Sequence, residues 1–131
     1  MIFIPKTTMQ QSLLYFIPPN KPFKNEAEFT TWFWRQIKEH WWFRHKISDM
    51  SIELKPFDWI LAIDWYVAAV EIKVSDHKHK VDVYKMLRDN QKTWLAKYKK
   101  NWWNSLVIYY NKVINQYFIR EYNPDDLVIK F

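Results

Sequence analysis

The chain of 131 residues contains no glycine and no cysteine. Without glycine there is no glycine-rich phosphate loop and no dinucleotide-binding fingerprint, which excludes the P-loop and standard Rossmann readings. Turns must be made by Asn, Asp and Pro instead. Without cysteine there is no disulfide framework, no thiolate metal site and no thiol nucleophile, which fits a reducing compartment. No apolar run reaches membrane-spanning length. The first residues lack the basic start, apolar centre and small-residue cleavage site of a signal peptide. The expected location is therefore the cytoplasm, or a host cell's cytoplasm if the chain is viral. Acidic side chains are outnumbered, 14 against 20 Lys and Arg, for a net charge of +6. That balance favours an anionic partner, nucleic acid first.

What is abundant is aromatic: nine Trp, eight Tyr and nine Phe. The length is that of one domain with one hydrophobic core. Residues 1–24 hold Pro5, Pro18, Pro19 and Pro22 and read as an extended arm around a short apolar piece, Leu13 to Ile17. Residues 25–131 read as the domain. Asn25 is a good N-cap, with Glu28 at the third helical position of a capping-box variant. Phe29, Trp32, Phe33 and Ile37 then recur at helical spacing, which predicts a helix ending between His40 and Phe43. Trp59–Ile63 and Val67–Val74, with a turn at Asp64, predict a hairpin, and Lys46–Ile52 a further strand before it. Val81 to about Lys100 reads as helix, and Ser105–Tyr110 and Gln116–Glu121 as two closing strands. This order predicts an α/β fold, with helices packed against a mixed central sheet.

The apolar strand AAVEIKV, Ala68 to Val74, carries Glu71 and Lys73 two apart, so both charges share one face. Asp58 follows Pro56-Phe57 at the start of the preceding strand, and a suitable register brings it beside Glu71. Two carboxylates that close repel unless a divalent cation neutralises them. Mg²⁺ takes hard oxygen ligands of this kind, usually beside a substrate phosphate, and Mn²⁺ is an alternative ion. Lys73, about 7 Å along the same face, reaches the attacking water or the phosphate oxygens. These residue types and spacings suit metal-assisted hydrolysis of a phosphodiester.

Pro56-Phe57-Asp58 followed by Glu71-Ile72-Lys73 resembles the signature of the PD-(D/E)xK nuclease superfamily. Upstream, Glu26-Ala27-Glu28-Phe29 opens a helix as the glutamate helix does in VRR-NUC nucleases and archaeal Holliday junction resolvases. Downstream, Gln91-Lys92-Thr93-Trp94-Leu95 is similar to the helix that follows the lysine strand in VRR-NUC-like and RecU-like members. Lys46-Ile47-Ser48-Asp49 also resembles the approach to the aspartate in that superfamily. The resemblance spans roughly residues 25 to 110. It implies a restriction-endonuclease-like core and a Mg²⁺-dependent DNA endonuclease. Asp58, Glu71 and the backbone carbonyl of Ile72 would be metal ligands, and Lys73 would act on the water. A helix glutamate would support a water or second metal, and Gln91 would help position the site. Glu26, three and seven residues before Phe29 and Phe33, shares their inward face, whereas Glu28 already has a capping role.

Other readings stand beside these. Glu71 and Lys73 also fit an ordinary salt bridge on a solvated strand face, Gln91 a satisfied core amide, and Glu26 a first-turn acid favoured by the helix dipole. Ser48, Lys78 and Lys80 are candidate phosphate contacts; strand capping and a solvated loop explain them too. Trp32, Trp59 and Trp94 are expected in the core, while Trp41-Trp42 and Trp102-Trp103 cannot all face it and offer stacking surfaces. A chain this short has no room for a separate sequence-reading domain, so the expected DNA substrate is a structure such as a branched junction. Cutting two strands symmetrically there calls for a two-fold homodimer. The alternatives are a nicking or repair nuclease of the VRR-NUC kind, a small restriction or homing endonuclease, or a catalytically silent DNA-binding module.

Overall fold

A computed structural model of the chain describes residues 14–40, 44–46, 59–63, 66–101 and 104–131. Its longest strand is β3 (Tyr66–Ser75), a run of β-branched and small apolar residues that suits burial on both faces. Five strands form one sheet in the order β1 (Arg44–Lys46), β2 (Trp59–Ile63), β3, β5 (Asn104–Asn111), β6 (Gln116–Glu121). β1–β2, β2–β3 and β5–β6 are antiparallel, whereas β3 and β5 are parallel. The sheet is therefore mixed, as expected. Parallel neighbours need a crossover. Here it carries a short strand β4 (Lys80–Asp82) and helices α2 (Val83–Met86) and α3 (Asp89–Lys100). A separate two-stranded ribbon joins β4 to β7 (Val128–Lys130). Among the described residues, no helix is long and apolar enough to cross a membrane.

Side-chain alternation divides the sheet between two cores. Ala68, Val70, Ile72, Leu106, Ile108 and Tyr110 meet helix α1 (Glu26–His40) through Phe29, Phe33, Trp34 and Ile37. Ala69, Val107 and Tyr109 face Leu95 of α3, Leu87, and Val81 and Ile129 of the ribbon. α1 begins as expected: Asn25 Oδ1 accepts the Glu28 N–H at 2.9 Å, and Glu28 Oε1 accepts the Lys24 N–H at 3.1 Å. Trp34 is buried on this helix although the apolar spacing did not include it. Trp94 is half-buried, its ring against Tyr98 and under Lys97 rather than in the second core. Of the strand expected over Lys46–Ile52, residues 47–52 lie outside the described residues, as do Trp41, Trp42, Trp102 and Trp103.

The continuous helix expected from Val81 to Lys100 is not what forms. Val81 sits in β4, paired with Ile129. Asp82 then caps α2, its side chain accepting the Tyr84 N–H at 3.1 Å. Leu87 and Arg88 are extended and separate α2 from α3. Val81, Val83, Leu87 and Leu95 are all buried as the pattern required, but by strand, turn and helix in succession.

The arm is docked from Leu14 onward. Leu14 is fully buried in the first core, and burying a leucine contributes about 1.5–3 kcal/mol. Two tyrosines on facing strands, the partners Tyr110 and Tyr117, hold the arm's backbone. Tyr117 OH donates to Leu14 O at 2.9 Å and accepts the Phe16 N–H; Tyr110 OH accepts the Phe23 N–H at 3.0 Å. The β5–β6 turn uses Asn115 where a glycine would be easiest, at φ 52°. Its side chain donates to Pro19 O and accepts from Tyr110 OH, each at 2.7 Å.

Candidate active site

Glu71 lies in the middle of β3, with β2 on one side and β5 on the other, and is 1 % exposed. A carboxylate at that depth needs donors. Gln91 supplies one: its Nε2 donates to Glu71 Oε1 at 2.7 Å. The orientation of this amide is fixed from its other end, where Oε1 accepts the Arg88 N–H at 2.9 Å. A backbone N–H only donates, so the amide nitrogen must face the carboxylate. The cap of α3 and the anchorage of Glu71 are thus one side chain. Lys73 adds an ion pair, its Nζ 3.6 Å from Glu71 Oε1. Its side chain keeps 16 % exposure against 2 % for Glu71, so the carboxylate is deep and the ammonium is at the rim.

The structure brings together three of the residues singled out in the sequence, from a strand and a helix 20 positions apart. The plain salt bridge on a solvated strand face is excluded by burial: Glu71 and Gln91 are among the few buried polar residues described. Asp58 and Ser48 lie outside the described residues. Ile72 turns its side chain into the first core, opposite to Glu71; the part assigned to it is its backbone carbonyl. Glu26 is exposed in the first turn of α1, before the buried part of the inward face begins at Phe29. Its helix covers the other face of the sheet from Gln91, because that face carries Ala68, Val70 and Ile72. Lys78 and Lys80 are exposed, in the loop after β3 and in β4. Among the described residues, no three His, Asp or Glu side chains cluster to hold a metal, so the metal reading needs Asp58.

Beyond Lys73 the same face continues with Ser75, a residue the sequence reading passed over. Ser75 Oγ lies 2.5 Å from Tyr109 OH and 2.6 Å from His77 Nδ1. Asn111, the β5 partner of Ser75, donates through Nδ2 to His77 O at 2.7 Å and to Tyr109 OH at 3.2 Å. The i, i+2 continuation from Lys73 was a signal for Ser75. Tyr109 and Asn111 gave none, since only the parallel register with β5 brings them there. Burial raises the Tyr109 pKa, against the opposing hydrogen bonds from Ser75 and Asn111.

No protein-family model matches the chain, and no curated protein compared with it is significantly similar.

Proposed function

We propose that this chain is a Mg²⁺-dependent DNA endonuclease of the PD-(D/E)xK type that hydrolyses a phosphodiester by direct attack of water. The observation that carries the reading is the convergence of Gln91 and Lys73 on the buried carboxylate of Glu71. A strand carboxylate, a lysine two residues on and a glutamine from the following helix are the set the resemblance demands. The register supports it further. β2 pairs with β3 as Trp59 with Val70 and Ile60 with Ala69, Ile60 packs on the second core, and Asp58 comes one residue before β2 in the sequence.

The donor set fits a hard cation: a buried carboxylate, a second carboxylate one residue upstream of β2, and a strand carbonyl at Ile72. Glu71, Asp58 and the Ile72 carbonyl would hold the ion. When bound, Mg²⁺ supplies Lewis-acid polarisation of the phosphate and charge neutralisation. Gln91 holds Glu71 in one orientation. Lys73, at the rim, steadies the attacking water and the charge that gathers on the phosphate oxygens. Water gives up a proton to solvent as its oxygen bonds to phosphorus, the bond from phosphorus to the departing sugar oxygen breaks, and that oxygen takes a proton from solvent. Lys78 and Lys80, both exposed, would contact backbone phosphates. DNA structure, as at a branched junction, is the recognised feature, with a homodimer delivering paired cuts.

Incubation with four-way junction, linear duplex and single-stranded DNA tests this, with Mg²⁺ or EDTA and with Asp58→Asn and Lys73→Ala beside wild type. The expected result is Mg²⁺-dependent cleavage, strongest on the junction and reduced about 100-fold or more in both variants. No cleavage of any substrate, or undiminished cutting by both variants, rejects the proposal.

A further inference from the structure

A chain of side-chain hydrogen bonds at the end of β3 links Asn111, Tyr109, Ser75 and His77. Asn111 Oδ1 accepts the N–H groups of Val113 at 2.9 Å and Ile114 at 3.4 Å. Its Nδ2 must therefore be the atom facing Tyr109 OH. An amide nitrogen only donates, so the tyrosine oxygen accepts there and its own proton is available to Ser75 Oγ. Ser75 Oγ in turn lies 2.6 Å from His77 Nδ1, and a Ser75 proton given to that nitrogen leaves the neutral imidazole with hydrogen on Nε2. His77 is exposed, and its Nε2 has no partner among the described residues. In that tautomer His77 presents an N–H at the end of the strand that bears Lys73, with Ser75 two residues and about 7 Å beyond Lys73.

A second feature stands three residues further on. The β4–β7 register sets Lys80 directly opposite Lys130, both exposed. Like charges in opposed positions destabilise a ribbon, and neither lysine has a salt bridge among the described residues. An anion between them would remove the repulsion.

We propose that His77 and the Lys80–Lys130 pair form a phosphate-binding corner of the active site. The His77 Nε2–H donates to a non-bridging oxygen of the nucleic-acid backbone, and the two ammonium groups neutralise neighbouring phosphates of the same strand. This deepens the nuclease reading and rests on it.

Fluorescent duplex and junction DNA are titrated into wild type, His77→Ala and Lys130→Gln over a range of salt, in EDTA. Mg²⁺-dependent cleavage is followed in parallel, and the imidazole tautomer by ¹⁵N NMR. His77→Ala is expected to bind about tenfold more weakly with an unchanged salt slope, because a neutral donor releases no counterion. Lys130→Gln is expected to lower the slope by about 0.9. Wild type is expected to show hydrogen on Nε2. Both substituted side chains are exposed, and melting curves confirm that the variants fold. Hydrogen on Nδ1 in wild type overturns the corner. So do affinities and slopes equal to wild type in both variants, while wild type binds and cuts DNA; the nuclease reading then survives. Wild type that neither binds nor cuts DNA rejects the nuclease reading, and the corner falls with it.

Discussion

Gln91 closes the first turn of α3 with its carbonyl oxygen and holds Glu71 with its nitrogen, so substitutions at these two positions separate structure from chemistry. Glu71→Gln keeps an acceptor for Gln91 while removing the charge a metal needs. It is expected to melt within a few degrees of wild type and to lose cleavage by about 100-fold or more, read by parallel calorimetry and gel assay. Gln91→Leu removes a hydrogen-bond donor from a buried carboxylate and uncaps a helix, and is expected to cost about 3 kcal/mol in urea unfolding. Tyrosines give a pH signature of the fold itself. Burial pushes Tyr122 up to about 12, with Tyr84 adding to it, and burial likewise raises Tyr15, Tyr110 and Tyr117. The unfolded chain loses these protons near about pH 10 while the folded chain keeps them. Stability is thus intact below about pH 10 and falls as pH rises from there toward 12. Thermal melts across that window, with tyrosinate absorbance beside them, should show unfolding and ionisation occurring together.

At the scale of elements, the legible parts were those whose pattern is local. β3 announced itself by an apolar run with two charges on one face, and α1 by its cap and its spacing of Phe29, Phe33 and Ile37. The convergence of Gln91 on Glu71 was legible only through the resemblance and an apolar helix face, since a buried glutamine alone has no signature. The β4–β7 ribbon was not legible. Each strand is three residues with one buried apolar side chain, Val81 or Ile129, and neither means anything until the other is beside it. The helical spacing of Val81, Tyr84 and Leu87 hid the break at Leu87, because the strand, turn and helix bury nearly the same positions. The ribbon also offers a test of opposed lysines. Lys80→Glu should raise folding stability by about 0.5 kcal/mol by replacing repulsion with a cross-strand pair. It should weaken DNA binding in the same protein, so a melt and a titration should move in opposite directions.

For the molecule as a whole, the arm is part of the fold from Leu14 onward, and the proline-rich composition alone did not say so. Tyr117→Phe leaves the Leu14 carbonyl without the hydroxyl that accompanies its burial, and is expected to cost about 1–3 kcal/mol in chemical unfolding. The consequence extends to the turn at Asn115, which a chain without glycine builds from a residue strained at φ 52°. Asn115→Gly would ease that turn by about 1 kcal/mol but release both Pro19 and Tyr110. The segment around Pro19 and the β5–β6 hairpin therefore act as each other's splint. A protease nicking the segment near Pro19 would be the first to register a relaxation that began in a hairpin nearly a hundred residues away.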